Sequence, residues 1–174
     1  MLEENGIKLI ESRAICRYLV AKYGGPLTIP TVPKYLGRFE EADSIGASYF
    51  EPVVSGLGYE KIFKKYVRDS FNNSENATHI IIRQRGHGEP DKHAVEALLK
   101  RLTTCLDYFE RILSSQEGLA GDHFNLVDIF YAPFVDFLWS RLGLQQEIQS
   151  RPNVRAWWDR VTSRPSWKAL MARP

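Results

Sequence analysis

The stretch Gly121-Asp122-His123-Phe124-Asn125-Leu126-Val127-Asp128-Ile129-Phe130-Tyr131-Ala132-Pro133-Phe134 decides how the rest of the chain is read. Asn125 carries a short side-chain oxygen of the kind that accepts from the first unpaired N–H groups of a helix. Asp128, three residues on, can reach back to the Asn125 N–H and complete a capping box. Phe124 and Ile129 stand on either side at the positions of a hydrophobic staple. Beyond the cap, Leu126, Val127, Ile129, Phe130, Phe134, Val135, Phe137, Leu138 and Trp139 cover nearly every face, which predicts a helix buried at the centre of its domain. Pro133 lacks an N–H and predicts a kink. Asp128 is read as a structural cap rather than a catalytic carboxylate, because its spacing from Asn125 accounts for it.

The pattern extends in both directions. Upstream, Asp91 caps a helix whose stripe is Val95, Leu98, Leu99, Leu102, Leu106, Phe109, Ile112 and Leu113. Downstream, Pro152-Asn153 opens a helix carrying Val154, Trp157, Trp158 and Val161, and Arg164-Pro165 breaks it before a short last turn from Ser166 to Met171. The Trp157-Trp158 pair reads as core. Further upstream, Tyr35, Phe39, Ala42, Gly46, Tyr49 and Val53 recur at helical spacing, followed by Leu57 and Phe63, with a bend expected at Pro52. Residues 68–90 lose this periodicity and read as a long loop, with the apolar run Ile80-Ile81-Ile82 unassigned. Residues 26–33 hold the Pro-containing linker, the best domain boundary. Before it, Asn5-Gly6 signals a tight turn between Leu2 and a short strand Ile7-Lys8-Leu9-Ile10. A helix then follows from Ser12, with Ile15, Tyr18 and Leu19 as its buried stripe and Gly24-Gly25 as its end.

Composition narrows the function classes. Hydrophobic residues make up 44% and charged residues 25% of 174, an ordinary globular balance. The net charge of +2 gives no footprint for nucleic acid or an anionic membrane. No apolar run is long enough to span a bilayer, and no signal-peptide pattern opens the chain, so a cytoplasmic location is expected. Cys16 and Cys105 read as free thiols buried in helices. His79, His87, His93 and His123 lack ligand spacing, so no metal is expected. Glu3-Glu4 and Glu40-Glu41 read as solvated charge.

The Glu11-Ser12 pair stands where a strand ends and a helix begins. Unpaired N–H groups and the positive end of the helix dipole favour a carboxylate there. Ser12 could hold that carboxylate while Glu11 accepts from an ammonium group of the same ligand, which describes the head of an α-amino acid. A plain Ser12 N-cap explains the same residues.

Several separated stretches resemble glutathione transferases. Leu9-Ile10-Glu11-Ser12-Arg13-Ala14-Ile15-Cys16-Arg17-Tyr18-Leu19, with Leu2-Glu3-Glu4-Asn5-Gly6 before it, is similar to the end of the family's glutathione-binding domain. Its Glu-Ser-Arg-Ala-Ile wording is nearest the phi class of plants and fungi. Tyr49-Phe50-Glu51-Pro52-Val53, Phe124 to Asp128, Arg151 to Trp158 and Arg164-Pro165 resemble its helical domain. The resemblance implies a mainly α chain: residues 1–25 as the strand-and-helix remnant of a thioredoxin-like α/β domain, 26–33 as linker and 34–174 as the all-helical C-terminal domain.

It also implies a function and a set of site residues. The activity would be conjugation of glutathione, as co-substrate, to hydrophobic electrophiles, or peroxide reduction, in a homodimer that takes part in detoxification. Glu11 and Ser12 fall where the family holds the γ-glutamyl end of glutathione. Arg13 falls where a residue faces the partner subunit. Tyr49, Tyr59 and Phe63 fall on the helix that lines the electrophile pocket, where helix core is an equal reading. The thiol-activating Ser or Tyr and the cis-proline loop precede Leu2 in the family. None matches here, so an N-terminally truncated chain with no catalytic residue of its own is expected. A non-catalytic protein-interaction module of the same fold is the alternative.

Overall fold

The computed structural model describes residues 1–25, 27, 29–65 and 89–172. The chain opens with a hairpin, β1 (Leu2–Glu4) and β2 (Ile7–Leu9), paired antiparallel with Leu2 opposite Leu9 and Glu4 opposite Ile7. Asn5 and Gly6 supply the positive φ angles, 48° and 80°, that so tight a turn requires. Helix α1 (Ser12–Tyr23) follows and stops at Gly24, whose φ is 69°. Helix α2 (Pro33–Ile45) starts on a proline whose missing N–H costs nothing at a first turn.

From α2 the chain does not run as one regular helix. A π-helical turn at Gly46–Phe50 leads into α3 (Glu51–Gly58), and a second at Tyr59–Phe63 follows. The bend expected at Pro52 is thus taken up by a widened turn just ahead of it, where the ring's missing N–H leaves the hydrogen-bond ladder one donor short. The widened turn also shifts the buried register. Phe50, not Tyr49, faces the core, and Tyr35 and Phe63 are likewise exposed, while Phe39, Ala42, Val53, Val54 and Leu57 fill the interior.

The second half is built around α4 (Lys92–Leu113) and α5 (Leu126–Asp136). Asp91 caps α4 through the His93 and Ala94 N–H groups at 2.9 and 3.2 Å. Leu102, Leu106, Phe109 and Leu113 of its stripe are buried, and Val95, Leu98, Leu99 and Ile112 pack partly buried against them. Helix α5 runs on through Pro133 and passes into a π-helical turn at Phe137–Arg141. Three shorter helices close the chain: α6 (Gln145–Gln149), α7 (Pro152–Ser163) and α8 (Pro165–Met171).

Helix α5 is the axis of the core. Asn125 accepts from Val127 N–H at 2.9 Å, and Asp128 accepts from Asn125 N–H at 2.7 Å, so the capping box forms as the spacing predicts. Asp128 is fully buried and takes two further donors, Leu119 N–H at 2.9 Å and the Trp157 indole at 2.8 Å. Burial pushes its carboxyl above the usual range, and the Leu119, Asn125 and Trp157 donors pull the other way. One carboxylate therefore joins the start of α5, the preceding loop and α7. Across the core, Tyr131 stacks on Phe50 at 5.4 Å and donates to the Ala42 carbonyl at 2.6 Å. A side chain at Gly46 would collide with that ring, its Cβ falling 2.7 Å from Tyr131, so close helix approach requires glycine there. Trp157 and Trp158 are core, as expected.

Candidate functional site

The candidate ligand site is the start of α1. Ser12 was expected to cap this helix, and the structure corrects that. Ser12 is its first residue, and Glu11 takes the cap position with φ 71° and ψ 114° and no side-chain hydrogen bond to the helix. A non-glycine residue at positive φ is held there at a cost of about 1–3 kcal/mol, and such positions cluster at functional sites. Glu11 and Ser12 are both exposed, and among the described residues neither side chain has a hydrogen-bond partner. The Ser12 and Glu11 side chains are thus exposed at the N-terminal end of a 12-residue helix, whose first N–H groups lack helical partners.

What fixes this helix is an ion-pair clamp that sequence reading missed. Arg13, expected to face a partner subunit, makes its contacts among the described residues with its own chain and stays partly exposed. Its guanidinium pairs with Asp43 and Glu51, donates to the Asp43 carbonyl at 2.9 Å and lies 5.0 Å from the Phe130 ring centroid. One turn on, Arg17 pairs with the other Asp43 oxygen and with Glu40 and lies over the Phe39 ring. Asp43 therefore holds both arginines of α1. Its partners lie 30 and 26 residues away in sequence, and no local pattern signals pairing at that range.

Other contacts of α1 also depart from expectation. No residue of the helix is fully buried. Cys16 and Val20 pack against the core, while Ile15 and Tyr18 are half-buried and Leu19 is exposed. The core meets the arginine–cysteine face of the helix, so the apolar stripe lies off it. Cys16 and Cys105 are half-buried rather than buried, and burial pushes both thiols up. The glutamate pairs are not simply solvated either. Glu40 pairs with Arg17, and Glu4 accepts from Lys22 at 2.7 Å, from Tyr18 at 3.0 Å and from Tyr23. Lys22, with both tyrosines assisting, holds the Glu4 carboxyl at about 2.

The three aromatic candidates are not core. Tyr49 is 60%, Tyr59 37% and Phe63 51% exposed, which removes the interior reading for each. Tyr49 sits two residues before Glu51, the partner of Arg13. Tyr59 and Phe63 lie beyond α3, whose eight residues span about 12 Å. No group of His, Cys, Asp and Glu suited to a metal occurs among the described residues. His79, His87 and the loop expected over 68–90 lie almost wholly outside them. On either side of that loop, Glu60 accepts from Lys64 at 2.7 Å and from the Asp91 N–H at 2.8 Å.

Comparison with known proteins gives this geometry a family. Residues 92–160 match the family model described as Glutathione S-transferase, C-terminal domain. The chain is 35% identical over 170 residues to glutathione S-transferase hmp2 of Hypomyces subiculosus, covering 96% of this chain and 71% of that protein. The chain belongs to the glutathione S-transferase family. It is also 39% identical over 162 residues to glutathione S-transferase PM239X14 of Arabidopsis thaliana, covering 90% of this chain and 63% of the relative's length. The crystal structure of glutathione transferase F2 from Populus trichocarpa superposes with a TM-score of 0.78 at 25% identity, covering 97% of this chain and 71% of that one. These relatives are phi-class enzymes of plants and fungi, and the mainly helical fold is the family's. Among the described residues, no helix is long and apolar enough to cross a membrane.

Proposed function

We propose that this chain takes part in glutathione conjugation, with Glu11 and Ser12 holding the γ-glutamyl end of the tripeptide. The observation that carries this reading is the strained Glu11 backbone at φ 71° beside an exposed Ser12 with no partner among the described residues. A helix start built only for stability would place an unstrained cap there. Ser12 and the first helical N–H groups receive the γ-glutamyl carboxylate, and Glu11 accepts from its ammonium. Tyr49, with Tyr59 and Phe63 further along, offers apolar surface to a hydrophobic electrophile. The reaction read for the site is attack of the glutathione sulfur on an electrophilic carbon with departure of its leaving group, and peroxide reduction is the second chemistry. No residue of the chain is assigned to thiol activation. Residues 1–25 are read as part of a thioredoxin-like domain and 34–174 as the helical domain of a homodimer. Sedimentation at micromolar concentration should give the dimer, and a monodisperse monomer contradicts it.

Amide NMR spectra during titration with peptides test the assignment of the ligand's end. Glutathione and γ-glutamylcysteine should both shift the Ser12 and Arg13 amides in the millimolar range, because few groups grip a flexible peptide here. Cysteinylglycine, which lacks the γ-glutamyl head, should leave them unmoved. Equal shifts from cysteinylglycine, or none from glutathione, contradict the assignment.

A further inference from the structure

A cavity of about 190 Å³ lies between α2, α4 and the loop that leads to α5. Its polar lining is Arg38 and Glu41 of α2, Tyr108 of α4 and Gln116 of the loop, while Ile112, Leu119 and Ala120 give it an apolar side. Arg38 and Glu41 are exposed and stand about one helical turn apart. Among the described residues neither has an ion-pair partner, in contrast to Glu40 and Asp43 beside them, which hold Arg17 and Arg13. Tyr108 is half-buried, and among the described residues its hydroxyl has no hydrogen-bond partner. Burial and the charge of Glu41 push its phenol up, and Arg111, whose guanidinium carbon lies 5.3 Å from the ring centroid, pulls it down. The Gln116 amide nitrogen donates to the Gly118 and Leu119 carbonyls at 2.8 and 3.2 Å, which leaves its side-chain oxygen as an acceptor.

We propose that this cavity binds a small zwitterionic amino acid, with its carboxylate on Arg38, its ammonium on Glu41 and its side chain against Ile112, Leu119 and Ala120. An open cation and an open anion side by side match a ligand that carries one charge of each sign, whereas a singly charged ligand would meet a like charge. A guanidinium receives a carboxylate through two parallel hydrogen bonds. An ammonium brings three donors, for which Glu41, the Tyr108 oxygen and the Gln116 oxygen are acceptors. At about 30 Å³ for each water-sized group the cavity holds about six of them, the size of alanine or valine and well short of tryptophan. The proposal is independent of glutathione: none of Glu11, Ser12, Tyr49, Tyr59 or Phe63 lines the cavity.

Amide NMR spectra of the 174-residue chain during titration with L-valine test it. Valine should shift the amides of Ile112, Leu119 and Ala120 saturably in the millimolar range. N-acetylvaline lacks the ammonium, valinamide lacks the carboxylate and tryptophan is too large, so all three should leave these amides unmoved. Arg38→Met and Glu41→Gln, both at exposed positions of α2, should each weaken valine about tenfold while circular dichroism stays native. Absence of saturable shifts at these amides up to about 50 mM valine overturns the proposal. So do equal shifts from N-acetylvaline or valinamide, unchanged valine affinity in either variant, or valine shifts confined to the Ser12 and Arg13 amides, which would place the amino acid at the start of α1.

Discussion

The start of α5 and the start of α1 are both helix N-termini with a carboxylate beside them, and they are built for opposite ends. At α5, Asp128 is fully buried and receives three donors from three parts of the chain. At α1, Glu11 is exposed, strained and without a hydrogen-bond partner among the described residues. A buried polar group is retained only when it is satisfied, whereas an exposed helix start left open can still take a ligand. Stability is concentrated at the first, and the proposed ligand chemistry is assigned to the second.

Removing Asp128 should give the largest effect. Asp128→Ala leaves the buried Leu119 N–H and Trp157 indole, and the partly buried Asn125 N–H, without their acceptor. At about 1–3 kcal/mol for each buried group left unpaired, partly relieved by relaxation, the loss should reach about 3–5 kcal/mol. A urea midpoint lowered by less than about 1 kcal/mol equivalent would show that water or new partners replace the carboxylate.

The clamp comes next. Asp43→Ala removes the shared partner of Arg13 and Arg17, with an expected loss of about 1–2 kcal/mol after discounting for partial exposure. The loss should be local. Hydrogen exchange should speed up along Ser12–Tyr23 while the amides of Leu126–Asp136 keep their protection. Equal acceleration in both helices would contradict the separation of the two regions.

Acid should divide them further. The Glu4 carboxyl is held at about 2 against an ordinary 4.5, so its contribution is present above pH 4.5 and is lost as pH falls toward 2. Asp128 has the opposite sign: its folded carboxyl is raised, so the folded state takes up that proton more readily than the unfolded chain, and acid does not remove its share of stability. Between pH 4.5 and 2 the Leu2–Glu4 strand and the end of α1 should lose protection before α5 does. Loss in the reverse order would falsify the roles given to these two carboxylates.

The sequence revealed the parts of this arrangement that depend on short spacing. Asn125 and Asp128 stand three residues apart, and the capping box follows from that distance alone. The Asn5-Gly6 turn, the Gly24 stop and the stripe of α4 are equally local. Trp157 and Leu119 as further donors to Asp128 were not legible, because they meet it only after α7 and the preceding loop have packed. The clamp of Asp43 on Arg13 and Arg17 escaped for the same reason. At Ser12 the local rule misled. Serine is a favoured cap, but Glu11 holds that position in a backbone conformation that a glutamate gives no sequence sign of adopting. The π-helical turns had one indication, Pro52, which places a break without saying that the turn ahead of it widens and exposes Tyr49.

The central claim is that Ser12 serves a ligand and not the fold. Calorimetric titration of glutathione into the wild-type chain and into Ser12→Ala, with a urea midpoint for each, measures both sides at once. Loss of a hydrogen bond to a charged group should weaken glutathione about tenfold or more, and an exposed hydroxyl without a partner should leave the midpoint unchanged. Unchanged glutathione affinity in Ser12→Ala, or a midpoint that falls as it would for a lost cap, would contradict the account.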